Sequence, residues 1–137
     1  MSSNSNKIIW AGDKNYNTFH FSWTLTNWCN YSCTYCSAKP VMVDKWKKDE
    51  SISKYKLTLE KLKRFDAPFE IQLYGGEPSL HPNIKEILLE LKKIDNCKQI
   101  SIITNLSKSL NFWKDICMPG VDICASFHPE HFDDQFI

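Results

Sequence analysis

Apolar and polar residues alternate without a break over Phe-His-Phe-Ser-Trp-Thr-Leu-Thr, residues 19–26, which is the period of a strand with two unlike faces. Ile52, Tyr55, Leu59 and Leu62 then recur at helical spacing and predict a first helix. Pro68 to Tyr74 reads as a second strand, stopped by Gly75-Gly76, where a backbone without Cβ atoms can turn sharply or approach a ligand closely. Pro82 suits a first helical position, and Ile84, Ile87, Leu88, Leu91 and Ile94 form the apolar stripe of a second helix. Gln99 to Thr104 predicts a third strand. Leu106, Leu110, Trp113 and Cys117 mark a shorter helix ended by Pro119-Gly120, and Val121 to Phe127 supplies a fourth strand.

Strands that alternate with helices imply right-handed crossovers and a mainly parallel sheet, with ligand chemistry at the carboxyl ends of the strands. The segments there are the cysteines after strand one, Gly75 to Pro78 after strand two, Thr104-Asn105 after strand three, and Ser126 to Pro129 at strand four. Alternation also assigns faces: Phe19, Phe21, Trp23 and Leu25, with Val121, Ile123, Ala125 and Phe127, should pack under helices. His20, Ser22, Thr24 and Thr26, with Asp122, Cys124 and Ser126, should then line an inner cavity. An apolar fourth strand left at an open edge reads as the front part of a larger barrel. Residues 1–18 are accordingly expected to be a polar lead-in, and residues 19–137 a core domain incomplete at its carboxyl end. A partner chain that completes the barrel would suit that edge.

Length and charge narrow the reading without deciding it. The 137 residues suit one domain, and 17 basic against 16 acidic residues give a net charge of +1, so no global field points to nucleic acid or an anionic membrane. The amino-terminal residues lack the features of a secretory signal and no run is long enough to span a bilayer, so a cytoplasmic, membrane-free protein is expected. Lys39 to Lys48 mixes four lysines with Val41, Met42, Val43 and Trp46 and reads as a solvated connection.

Six cysteines change the picture, because three of them fall within Cys29-Asn-Tyr-Ser-Cys33-Thr-Tyr-Cys36. Such crowding without a secretion signal points to metal or redox chemistry more than to a disulfide framework. Three thiolates on one loop leave a fourth coordination position open. A zinc site completed by His20 or a distant cysteine would also use that spacing. Cys97, Cys117 and Cys124 have no partner spacing and read as core residues. His81 reads as a helix-start residue; His128 and His131 suit either substrate contacts or a polar tail.

The pattern Cys29-x3-Cys33-x2-Cys36, with Tyr35 before the last cysteine, resembles the defining motif of the radical S-adenosylmethionine (SAM) enzymes. Gly75-Gly76-Glu77-Pro78, its continuation Ser79 to Ile84, and Thr104-Asn105 are similar to later segments of that family, in the family's order. The resemblance implies a partial parallel (β/α) barrel of which about four of the usual six units are present. It implies a [4Fe-4S] cluster held by Cys29, Cys33 and Cys36, whose unique iron binds the amino and carboxylate groups of SAM. An external electron donor of flavodoxin or ferredoxin type would reduce the cluster, and SAM would be cleaved to a 5′-deoxyadenosyl radical that takes a hydrogen atom from a substrate. By the same resemblance Tyr35 lies near the adenine, and Gly75, Gly76 and Glu77 meet the cofactor's ammonium. Thr104-Asn105 belongs to the cofactor site, and Ser126 faces the ribose or carboxylate. The family's adenine-contacting segment after strand five has no counterpart. A non-catalytic cluster-binding or interaction module is therefore the second reading, and no further catalytic residue is assigned.

Overall fold

The computed structural model describes residues 17–39 and 51–131, with backbone alone for residues 51 and 52. The lead-in before residue 17, the lysine-rich stretch beyond Lys39 and the side chain of Ile52 therefore lie outside the described residues. Strands β1 (Phe19–Thr26), β2 (Phe69–Gly75), β3 (Cys97–Thr104) and β4 (Val121–Ala125) form one sheet in the order β1-β2-β3-β4, all parallel. Helices α1 (Ser51–Lys63), α2 (Ile84–Lys92) and α3 (Leu110–Ile116) make the crossovers. This is the α/β, partial parallel barrel expected from the alternation of strand and helix periods.

The strand alternation sorts the side chains as expected along the middle of the sheet but not at its ends, where Ala125 is exposed and Thr26, expected to line the cavity, is buried. Leu25, Phe69, Ile71, Leu73, Ile100 and Ile102 meet Tyr55, Leu59 and Leu62 of α1, the buried stripe of α2, and Trp113 and Ile116 of α3 in one core. Burying each large side chain contributes on the order of 2 kcal/mol relative to leaving it in water. In the register, His20 aligns with Glu70 and Ser22 with Gln72, and Glu70 aligns with Gln99 and Gln72 with Ser101. Parallel neighbours point the same way, so these polar side chains share the opposite face, where they line an open cavity of about 540 Å³.

Several boundaries differ from the sequence reading. Helix α2 starts at Ile84, behind a 3-10 turn over Pro78–Leu80, so Pro82 stands before the helix. Buried His81 holds that entry by accepting a hydrogen bond from Asn83 N on Nδ1 (3.1 Å). Helix α3 starts at Leu110, four residues later than the apolar spacing suggests, because Leu106 takes a positive φ of 54° and Ser109 caps Phe112 N. Strand β4 ends at Ala125, and Phe127 beyond it is 71% exposed, so it does not pack under a helix. Phe19 is also more than half exposed, although its ring meets Phe65 edge-on at 5.2 Å. Cys117 and Cys124 are exposed, which corrects their reading as core residues, whereas half-buried Cys97 packs against the core. Cys117 follows the last turn of α3, and Cys124 falls on the polar face of β4.

Candidate functional site

The cysteine loop leaves β1 along a path fixed by the end of β2. Gly76 N donates to Thr26 O (2.8 Å) and Glu77 N to Trp28 O (2.9 Å), which extends the β1–β2 pairing into the loop. A Cβ on Gly75 would lie 2.2 Å from Thr26 O, and one on Gly76 would lie 2.2 Å from Trp28 O. Gly75 also has φ +146°. Both positions thus need glycine so that two backbones can touch. The close approach these glycines permit is to the chain's own segment leading into Cys29.

Glu77, 1% exposed, locks the arrangement from below. Its Oε1 accepts from Ser79 N (3.0 Å) and Thr104 Oγ1 (2.6 Å), and its Oε2 from Asn105 N (2.7 Å). One buried carboxylate therefore ties the end of β2 to the end of β3, and three donors compensate its desolvation.

Above this support lies a cavity of about 480 Å³ at the carboxyl ends of the strands. Cys29, Cys33 and Cys36 line it together with Tyr35, Gly75 to Glu77, Thr104, Asn105 and Ser126, so the residues expected to hold cluster and cofactor gather at one place, whereas His20, Ser22, Thr26, Asp122 and Cys124 do not line it. Ser126 enters the wall just beyond β4, where its N–H donates to Thr104 O (2.8 Å). Asn105 donates through Nδ2 to Asn30 Oδ1 (3.1 Å) and toward Cys29 Sγ (3.8 Å). Tyr31 N reaches the same sulfur at 3.4 Å.

The electrostatics around Cys29 resist ionisation of its thiol without a cation. Burial pushes the Cys29 thiol up; the Tyr31 N–H opposes this, while Glu77 and the other two cysteines add to it. Partial desolvation of its hydroxyl, then the hydrogen bond and charge of Cys33, push Tyr35 up to about 12, although the residue as a whole is 53% exposed. Three soft sulfur donors, repelling one another and a nearby carboxylate, are a donor set that a thiophilic metal or iron–sulfur cluster relieves. By that chemistry the residues fit a cluster.

The far side of the loop is held by the segment whose histidines the sequence leaves as either substrate contacts or a polar tail. His128 Nδ1 lies 3.4 Å from Cys33 Sγ and 3.1 Å from Tyr35 Oη. The Glu130 carboxylate accepts from Thr34 N (2.9 Å) and Thr34 Oγ1, which holds it below the usual carboxylate range. Tyr31 stacks on His131 at 4.0 Å and meets His128 edge-on at 5.5 Å. The one signal for this clasp is its position just after β4, since nothing in the spacing links it to a loop some 96 residues earlier.

The zinc alternative loses its nearest proposed ligand. His20 is the second residue of β1 and pairs with Glu70 (Nδ1 to Oε2, 3.2 Å), roughly 20 Å of strand from the end of β1 where the cysteine loop begins. Among the described residues no fourth cysteine lines the cavity. Ligand atoms of Cys33, Glu130 and His131 do lie within 4.8 Å of one another, but that grouping uses one thiol of three and a carboxylate already held by Thr34. Among the described residues no helix is long and apolar enough to cross a membrane.

Compared with known protein families, residues 23–123 match the model of the Radical SAM superfamily, from within β1 to within β4. The match thus contains the cysteine loop, strands β2 and β3 with the segments that follow them, and helices α1, α2 and α3.

Proposed function

Because the chain belongs to the radical SAM superfamily, we propose that Cys29, Cys33 and Cys36 hold a [4Fe-4S] cluster and that the adjoining cavity takes S-adenosylmethionine. Membership carries cluster and SAM binding in general; the residue roles are our reading. The observation that carries it is the convergence of all three cysteines and the Gly75–Glu77 segment on one cavity at the carboxyl ends of parallel strands. When bound, the pair supplies reductive cleavage of SAM to a 5′-deoxyadenosyl radical for hydrogen abstraction from a substrate.

The chain's own residues bind and orient. Gly75 and Gly76 offer backbone carbonyls to the cofactor's ammonium, which needs acceptors. Glu77, whose two oxygens already take three donors, adds negative charge there and keeps the glycine pair in place. Thr104 and Asn105 fix that carboxylate, and Asn105 also turns an amide toward Cys29. Tyr35 presents an exposed ring to the adenine, and Ser126 a hydroxyl to the ribose or carboxylate. An external donor of flavodoxin or ferredoxin type delivers the electron. A strand of a partner chain would add at β4, which among the described residues pairs on one side only, and the site of action would be the cytoplasm.

Anaerobic reconstitution with iron and sulfide, followed by reduction with SAM present, tests the reading. The expected result is a four-iron cluster that is lost when any one of the three cysteines is changed to alanine, together with 5′-deoxyadenosine among the products. Stoichiometric zinc without sulfide would sink the cluster, whereas an intact cluster that yields no 5′-deoxyadenosine would move the chain to a non-catalytic cluster-binding module.

A further inference from the structure

We infer that His128 is a positioning residue for the iron–sulfur centre: its Nδ1–H donates to the Cys33 thiolate and sets the reduction potential of the cluster. The inference rests on the reading of Cys33 as a cluster ligand and goes beyond it, because neither the cysteine motif nor the glycine-rich segment includes this histidine.

Cys33 is the most buried of the three cysteines, at 5% exposure, so its sulfur has little access to water and depends on the protein for a donor. His128 Nδ1 stands 3.4 Å from it, within the range of a hydrogen bond to sulfur. A metal-bound thiolate only accepts, so Nδ1 must carry the proton, and Tyr35 Oη, 3.1 Å from the same nitrogen, can share it. The ring is held for this task. It lies parallel to Tyr35 (centroids 6.3 Å, 17°) and edge-on to Tyr31 (5.5 Å, 78°). Its own backbone carbonyl accepts from His131 N (2.9 Å), which closes the turn behind it.

Cys29 already has a backbone donor, Tyr31 N, and the Asn105 amide. At Cys33 the donor described is a side chain delivered from the end of β4. That difference matters, because a side-chain donor can be altered without moving the loop. A hydrogen bond to a ligating sulfur withdraws electron density and favours the reduced, more negative cluster, so it raises the potential. His128 thus connects the last strand of the sheet to the electron affinity of a centre built on the first.

The test compares the reconstituted wild-type chain with His128→Leu and His128→Asn, using iron and sulfide analysis and a potentiometric titration read by electron paramagnetic resonance. Leucine keeps bulk against water but removes the donor; asparagine places an amide N–H near the position of Nδ1. The expected result is a cluster in all three proteins, a more negative midpoint for His128→Leu, and a midpoint for His128→Asn close to wild type. Coincident midpoints for wild type and His128→Leu would overturn the assignment. So would an equal displacement by both variants, or loss of the cluster from both, since each would make the role one of ligation or structure. A wild-type chain that takes up no cluster would instead defeat the cysteine reading, and this inference with it.

Discussion

The cysteine loop is held between two walls of opposite construction. On the inner side, Gly75, Gly76 and Glu77 press backbone against backbone and bury one carboxylate beneath three donors. On the outer side, Glu130 and His131 grip the loop with solvent-facing or half-buried side chains, while His128 reaches further in to Cys33. The inner wall has no room to yield, because the nearest atoms to any added Cβ belong to main chain. The outer wall consists of contacts that can open and close. Such a division suits a site that must keep three sulfurs in register yet admit a cofactor and a substrate: the rigid wall is the reference frame, and the adjustable one faces the solvent.

If that contrast is right, the largest loss comes from Gly76→Ala. The new Cβ would meet Trp28 O at 2.2 Å and Trp28 C at 2.4 Å, atoms that cannot rotate away, and the expected cost is about 3 kcal/mol. Urea unfolding of the cluster-free chain measures it. A variant as stable as the wild type would mean that the glycine pair serves ligand access alone, and the inner wall would lose its distinctive character.

Next in size is Glu77→Gln. The amide keeps one acceptor oxygen but turns an N–H₂ toward donors from Ser79, Thr104 or Asn105, which leaves one of them buried without a partner. About 2 kcal/mol of stability should go, with weaker protection of the Thr104-Asn105 amides in hydrogen exchange. Unaltered exchange there would show that β2 and β3 are tied by other contacts.

Ser126→Val separates the cavity from its walls. The backbone bond of Ser126 N to Thr104 O survives the change, so folding and cluster content should hold. SAM affinity should fall by roughly tenfold or somewhat less, as expected for one lost hydrogen bond of about 1 kcal/mol. A titration of the reconstituted variant with unchanged affinity would remove Ser126 from the cofactor site.

How much could be read in the sequence follows the same division. Strand β1 has the predicted bounds because its period-2 pattern is unbroken and Phe21, Trp23 and Leu25 on one face pack on the core, and the α2 stripe is legible for a like reason. The inner wall was legible as a glycine pair before a carboxylate, although its partner turned out to be the chain's own backbone. The start of α3 was not, since the positive φ of Leu106 overrides apolar spacing at a residue type that rarely adopts it. Nor were the exposed positions of Phe127 and Cys117, which lie beyond the ends of β4 and α3, where hydrophobicity alone does not mark the stop. The outer wall depends on side chains from opposite ends of the chain, and no local period records such a meeting.

The smallest predicted effect tests the yielding wall itself. Thr34→Val removes one of the two hydrogen bonds to Glu130 and leaves the one from Thr34 N. Because Glu130 is exposed and water can replace the lost contact, the urea midpoint should not move measurably. What should change is local opening. Cys33 is shielded at 5% exposure, and an alkylating reagent reaches it only when the clasp lifts, so its labelling in the cluster-free chain should quicken by roughly two- to fivefold, in proportion to the opened fraction. Exposed Cys117 provides the internal standard, since its rate should stay constant. If Cys33 labelling stays at the wild-type rate, the turn at residues 129–131 is not what covers it, and the contrast between a rigid and a yielding wall fails on its outer side. If labelling quickens and the urea midpoint falls as well, the clasp belongs to the global fold, and both walls are of one kind.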